Sequence, residues 1–153
     1  MSNENLENLI FDDLSLEKIE KTENQKRELF KLLKKRSSID KISATTSISY
    51  ETHSKFVDNN EYRYWFLIKN REEYVGTFYL TEMNGIGVFL VDNSIHLLEK
   101  IFFLIPKTFK PLPEIPSIRL CRFHVNIAID NTKYSNILEK VGAELVQKSY
   151  LLK

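Results

Sequence analysis

The chain has 153 residues, of which 42% are hydrophobic and 28% charged, and its net charge is +1 at pH 7. This length supports one domain around a single core, 1–153, and so small a net charge supplies no long-range field to attract nucleic acid or anionic lipid. The one cysteine, Cys121, excludes an internal disulfide and suits a reducing compartment. No apolar run is long enough to span a bilayer and no apolar leader segment is visible, so we expect a cytoplasmic protein with neither a nucleic-acid nor a membrane partner.

One strand and one long helix are predicted in the first quarter of the chain. Residues 8–12 (NLIFD) indicate a short strand. Ser15 then offers its hydroxyl as an N-cap, and apolar residues recur at helical spacing as far as Arg36, with a break near Thr22 and Asn24 left open. We therefore expect a helix, in one or two pieces, between Ser15 and Arg36.

A second helix is predicted after a loop rich in Ser and Thr at 37–48. Ser49 is its N-cap, and it runs from Tyr50 to about Asp58. His53 lies on the apolar face of this helix, where it serves either as a core residue with one hydrogen-bonded nitrogen or as a contact to substrate.

Three strand-length apolar runs predict an antiparallel meander at the centre of a sheet. They are rich in aromatic and β-branched residues and are apolar on both faces, as expected of strands covered by helices on each side. Trp65 and Leu67 should face one way, and Tyr64 and Phe66 the other. The runs are 62–69, 73–80 and 85–91.

An apolar helix and a proline-rich connection follow. The helix is predicted at 95–105, with apolar positions along most of its girth. All four prolines come next, so 106–116 is expected to be an extended surface connection and not helix.

The remaining residues predict a strand, a helix and a last strand. Residues 119–129 alternate strictly between apolar and polar. Asn131 caps a helix that Gly142 ends in the usual C′ position, and 144–152 are expected to form the last strand.

This order of elements resembles that of the GNAT superfamily of acyl-CoA-dependent N-acyltransferases. The final helix of that family is written N-x-x-S-x-x-L-Y-x-K-x-G-F, and Asn131, Lys140 and Gly142 match it at their offsets. Residues 48–56 (ISYETHSKF) are similar to the I-S-x-E-x-H-x-x-F stretch of members that acylate amino groups on nucleotide-linked sugars. The resemblance implies an α/β, GNAT-like fold: a mixed, mostly antiparallel sheet of six to seven strands with helices on both faces.

The resemblance also implies an activity, the transfer of an acetyl group from acetyl-CoA, as co-substrate, to a primary amine of a small molecule. No metal is expected, because three scattered histidines and one cysteine have no zinc spacing, and a homodimer is left open. The implied contacts to acetyl-CoA are Phe89, Leu90 and Val91 along the pantetheine arm, Asn93 and Ser94 at the phosphate turn, and Asn131 and Tyr134 on the last helix. The implied contacts to the amine substrate are His53 and Asn126.

Amine acylation needs a base, an oxyanion donor and an open site. His124 is the candidate base, because it lies on the polar face of the strand at 119–129 and an unperturbed histidine has a pKa of about 6.5. By the resemblance, the oxyanion donor would be a main-chain N–H near 89–91. We expect the strand at 85–91 and the neighbouring strand at 119–129 to part at Val91 and open a slot for the thioester.

Departures from the family pattern support a second hypothesis. The turn after the third central strand has no glycine and no arginine, and it carries Asp92 where phosphate charge would lie. Leu138 replaces the tyrosine that, in the family, protonates the departing thiolate. The alternative is therefore a non-catalytic GNAT-like domain with a degenerate CoA site that acts in binding or assembly.

Overall fold

The structure is a computed structural model that describes residues 8–36 and 47–152. The strands of the described residues are β1 (Leu9–Phe11), β2 (Leu14–Lys18), β3 (Tyr64–Asn70), β4 (Glu73–Leu80), β5 (Gly85–Leu90) and β6 (His124–Val125). The helices are α1 (Glu23–Lys35), α2 (Tyr50–Asn59), α3 (Leu98–Thr108) and α4 (Thr132–Lys140), with a 3₁₀ helix at Asp92–Leu97 between β5 and α3. None of the helices in these ranges is long and apolar enough to cross a membrane.

The strands form one sheet whose spatial order follows the sequence, from β1 to β6. All neighbours are antiparallel except β5 and β6, which are parallel. This confirms the predicted mixed, mostly antiparallel sheet.

Apolar side chains cover both faces of the sheet. On one face Leu67 and Phe89 pack against α1 and α2. On the other, Phe66 packs in a larger core that includes residues of α3 and α4, such as Leu98 and Tyr134. The predicted alternation along β3 and the helices on both faces are therefore confirmed.

The chain after β1 forms a second strand where a helix was predicted. Leu14 and Leu16 are buried and alternate with Ser15, and the strand pairs with both β1 and β3. Helix α1 begins only after Thr22, whose hydroxyl accepts the Gln25 N–H at 3.3 Å. The prediction of Ser15 as a helix cap is wrong because a period-two burial pattern determines this segment.

Helix α2 begins as predicted. The Ser49 hydroxyl accepts the Thr52 N–H at 3.2 Å, so Ser49 is the N-cap. The loop predicted at 37–48 lies mostly outside the described residues.

The segment after β5 differs from the prediction at both ends. A 3₁₀ helix precedes the α-helix, which begins only at Leu98. Pro106 lies inside α3, near its C-terminal end, where the prediction had excluded helix. Proline has no N–H, so the Phe102 carbonyl has no donor four residues further on. The helix ends where the Phe109 N–H donates to the Ile105 carbonyl at 2.9 Å.

The C-terminal part holds less sheet than predicted. Within 119–129, only β6 is a strand. Before β6 the chain turns at a bridge between Ile115 and Arg119, and after Val125 it no longer pairs with β5. Residues 144–152 are exposed and form no strand in the structure. Helix α4, by contrast, has the predicted cap Asn131, and Gly142 follows it with a φ of +91°.

Candidate active site

Strands β5 and β6 part after two residue pairs. Gly85 pairs with His124 and Ile86 with Val125, and β5 then continues alone on that side to its end. A cleft that is partly open to solvent lies between the two strands. The slot therefore opens close to the start of β5, and not at its end as predicted.

The cleft is lined from β4, β5, the chain after β6 and the ends of α1 and α4. Arg36 is the only charged side chain among the described residues that line it. The lining residues are Arg36, Thr77, Tyr79, Gly87, Val88, Phe89, Val125, Asn126, Ile127, Ala128, Asn131 and Tyr134.

Main-chain donors lie along the edge of β5 that faces the cleft. The Val91 N–H donates to the Val75 carbonyl at 2.9 Å, on the β4 side. The Leu90 N–H points the other way and donates to the Tyr134 hydroxyl at 3.1 Å. Because successive residues of a strand direct their main-chain groups to opposite edges, the Val88 N–H faces the cleft as well.

Helix α4 carries a phenol to this edge. The Asn131 side-chain oxygen accepts the Tyr134 N–H at 3.3 Å, and both residues are buried. Leu138 lies one turn further along the helix and packs against the larger core. Leu138 stands where the GNAT family has its tyrosine, so the phenol of Tyr134 lies one helical turn before that position.

Tyr79 of β4 adds an aromatic ring to the lining. The Tyr79 ring lies across Gly87, where a Cβ atom would come within 2.0 Å of it. Tyr62 stacks on Tyr79 with the ring centroids 4.0 Å apart. Burial and the neighbouring Tyr79 raise the pKa of Tyr62 to about 12, so Tyr62 stays protonated near neutral pH. The Arg36 guanidinium lies 5.2 Å from the centre of the Phe89 ring.

Asn84 fixes the closed end of the cleft. This turn residue is fully buried and has a φ of +62°. Its side chain donates to the carbonyls of Leu112 and Leu120, at 3.0 and 2.8 Å, and accepts the Leu112 N–H at 2.7 Å. Its own carbonyl accepts the His124 N–H at 3.1 Å. One side chain therefore holds the proline-rich connection and so positions β6.

Neither predicted functional histidine lines the cleft. The exposed His124 lies at the closed end, with its ring against Gly85. His53 is buried between α1 and α2, where its Nε2 lies 3.2 Å from the Lys26 carbonyl oxygen and its ring centre 5.3 Å from that of Phe30. Burial lowers the pKa of His53 below its ordinary value of 6.5. These contacts give His53 a structural environment.

The other predicted site residues divide into two groups. Those that line the cleft are Phe89, Asn126, Asn131 and Tyr134, although the Phe89 ring belongs to the core beneath α1 and α2. Those outside the lining are Leu90, Val91, Asn93 and Ser94.

Several lining residues were missed by sequence reasoning. Gly87 had a signal, because two glycines in one strand indicate close approach of another group. Tyr79 and Thr77 read only as core strand residues. Arg36 was assigned only as the end of the first predicted helix, and its place at the cleft depends on how α1 packs on the sheet.

The turn after β5 carries the carboxylate of Asp92, and none of the residues 91–94 is a lysine or an arginine. Asp92 and Asn93 are exposed, and Ser94 is buried with its N–H on the Val91 carbonyl at 2.8 Å. The first turn here is 3₁₀ and has no side-chain cap. In the ranges that the structure describes, no group of three His, Cys, Asp or Glu side chains could hold a metal.

Comparison with known proteins supports the fold. No family model matches the sequence, and no curated protein is significantly similar to it. One similar structure is an acetyltransferase from Salmonella typhimurium that modifies the N-terminal serine of 50S ribosomal subunit protein L7/L12, with 17% identity, a TM-score of 0.55, and coverage of 86% of this chain and 81% of that one. Another, from Vibrio cholerae, is assigned as a ribosomal-protein-serine acetyltransferase, with 14% identity, a TM-score of 0.56, and coverage of 92% and 84%. At such identities the likeness concerns the fold, and this chain therefore has the fold of these acetyltransferases, as its resemblance to the GNAT superfamily implies.

Proposed function

We propose that this protein is an acetyltransferase that moves an acetyl group from acetyl-CoA to a primary amine. The observation that carries the proposal is the open edge of β5, where the Val88 N–H faces a cleft between two parted strands. An extended edge of this kind can bind the amide groups of a thioester arm as a neighbouring strand would.

In this mechanism the acceptor nitrogen attacks the thioester carbonyl carbon and a C–N bond forms. The Val88 N–H stabilises the negative charge that develops on the carbonyl oxygen. The C–S bond then breaks, the sulfur takes a proton, and the acceptor nitrogen loses one. The main chain supplies the oxyanion donor, so the mechanism demands little of the side chains on β5.

Two side chains are assigned to the protons. Tyr134 gives a proton to the departing thiolate, because its hydroxyl lies at the cleft edge of β5, 3.1 Å from the Leu90 nitrogen. His124 accepts the proton of the amine, through water, since it is exposed on β6 two residues before Asn126, which lines the cleft.

Two classes of acceptor are proposed. A small-molecule amine, such as a nucleotide-linked amino sugar, is favoured by the resemblance of 48–56 to that group of enzymes. The N-terminal amine of a protein is favoured by the description of the Salmonella typhimurium protein, which acts on such a group. Turnover should be measured with a peptide that begins with Ser, with the N-acetylated form of that peptide and with an amino-sugar nucleotide. Turnover of the free peptide alone indicates a protein N-terminus as acceptor, and turnover of the nucleotide alone indicates a small-molecule amine.

A non-catalytic domain is the alternative function. The exposed Asp92 at the turn and Leu138 on α4 motivate it. Titration calorimetry with acetyl-CoA tests the two functions, and an absence of binding at millimolar ligand would remove the enzymatic one.

A proline substitution tests the oxyanion donor directly. Val88→Pro removes the N–H that faces the cleft and spares the bonds between β4 and β5, which use the alternate residues. We expect kcat/KM to fall about 100-fold or more, with Val88→Ala as the matched control that keeps the N–H. A folded Val88→Pro variant with unchanged turnover would contradict this role.

A further inference from the structure

The segment after α4 exposes an unusual amount of apolar surface. Residues 144–152 have no regular secondary structure and lie outside every strand of the sheet. Five of their side chains are large, apolar and more than three quarters exposed: Leu145 76%, Val146 78%, Tyr150 83%, Leu151 98% and Leu152 97%. Contiguous exposed apolar residues of this kind mark an interaction surface.

The end of α4 fixes where this segment leaves the subunit. The Gly142 N–H donates to the Glu139 carbonyl at 3.0 Å and the Ala143 N–H to the Leu138 carbonyl at 2.9 Å. Gly142 has a φ of +91°, a conformation that ends the helix. The exit is therefore held by hydrogen bonds, and the segment beyond it stands clear of its own sheet.

We propose that 144–152 pairs antiparallel with the same segment of a second copy of this chain, with Val146 on the two-fold axis. A two-fold arrangement uses the same surface on both copies and pairs the main-chain groups of both segments at once. This interaction is independent of the proposed acetyl transfer.

Charge selects this register. With Val146 on the axis, Glu144 of each copy lies opposite Lys148 of the other, so two pairs of opposite charge form. With Lys148 on the axis, two lysines would lie opposite each other. Centring on Gln147 or Ser149 leaves Glu144 without a cation opposite it.

A charge-swap experiment tests the pairing on the full chain. Light scattering across a range of concentrations is expected to show a dimer. Glu144→Lys and Lys148→Glu should each weaken the dimer about tenfold or more, and the double substitution should restore it. Circular dichroism checks that each variant folds, which is expected because the segment is exposed in the subunit.

Disulfide trapping tests the axis itself. In a Cys121→Ser background, Val146→Cys should form a disulfide between copies, since residues opposite each other in an antiparallel pair lie about 4.5–5.5 Å apart. Ser149→Cys is the matched control and should not. A protein that stays monomeric at every concentration would overturn the proposal, as would a dimer that tolerates both single reversals or that is trapped through Ser149→Cys instead.

Discussion

The Leu90 main-chain N–H donates to the Tyr134 hydroxyl at 3.1 Å, which joins helix α4 to the edge of β5 beyond its two residue pairs with β6. Tyr134 therefore satisfies a donor that would otherwise face the cleft. In the acetyl transfer that we propose, the same phenol gives a proton to the departing thiolate.

Replacing Tyr134 should affect both stability and turnover. Tyr134→Phe leaves the buried Leu90 N–H without this acceptor, at a cost of about 1–3 kcal/mol in the free energy of unfolding. We expect kcat to fall about tenfold or more with a smaller change in KM. Tyr150→Phe, at an exposed tyrosine, is the control for the loss of a hydroxyl. An unchanged kcat in Tyr134→Phe would exclude Tyr134 as the proton donor.

Asn84 should be the most sensitive polar residue of the fold. Asn84→Ala removes three side-chain hydrogen bonds and also strains a backbone with a φ of +62°. Asn84→Gly removes the same bonds without that strain. We expect both to destabilise the protein by about 2–4 kcal/mol in urea denaturation, with Ala the worse of the two. A loss below about 0.5 kcal/mol in Asn84→Gly would show that these bonds contribute little.

Stability should depend on pH through His53. Burial lowers the pKa of His53 below 6.5, so the unfolded chain takes up the proton first as the pH falls. The stability that the folded protein gains from a neutral His53 is fully present above pH 6.5. It is lost as the pH falls from 6.5 towards the lowered pKa of His53 in the folded state. In urea denaturation between about pH 7.5 and 5, His53→Gln should lose less stability on acidification than the wild type. Equal slopes in the two proteins would contradict a buried, neutral His53.

Gly87 should tolerate no larger side chain while Tyr79 is present. A Cβ at Gly87 would come within 2.0 Å of the Tyr79 ring. Gly87→Ala should cost about 1–3 kcal/mol, and clearly less in a Tyr79→Ala background. A double-mutant cycle measures this coupling, and additive effects would show that the ring moves aside freely.

The sequence predicted the elements that local signals define. Ser49 and Asn131 cap helices because their side chains bond to main-chain N–H groups nearby, and a turn-bounded apolar run such as 73–80 becomes a strand whatever its neighbours. Ser15 was misassigned because Leu16 fits a helical spacing with Ile19 and a strand spacing with Leu14, and only the pairing with β1 and β3 decides between them.

Long-range contacts explain the remaining errors. The alternating run at 119–129 was predicted as a full strand, yet the buried Asn84 side chain binds the Leu120 carbonyl and only two residues of the run pair with β5. The cleft between two strands was anticipated from the resemblance. Its walls were not, because Arg36 and Tyr79 reach it from α1 and β4 through packing that no local pattern encodes.

The sheet order has a consequence for how the protein assembles. β3, β4 and β5 can pair in succession through short turns, whereas β6 joins only after the chain has passed through α3 and the proline-rich connection. Closing so long a loop costs conformational entropy and is slow, and only two residue pairs between β5 and β6 stabilise the closed loop. The edge that builds the cleft should thus be the last to form and the first to open, and the amide proton of His124 should exchange with solvent sooner than those shared by β3 and β4.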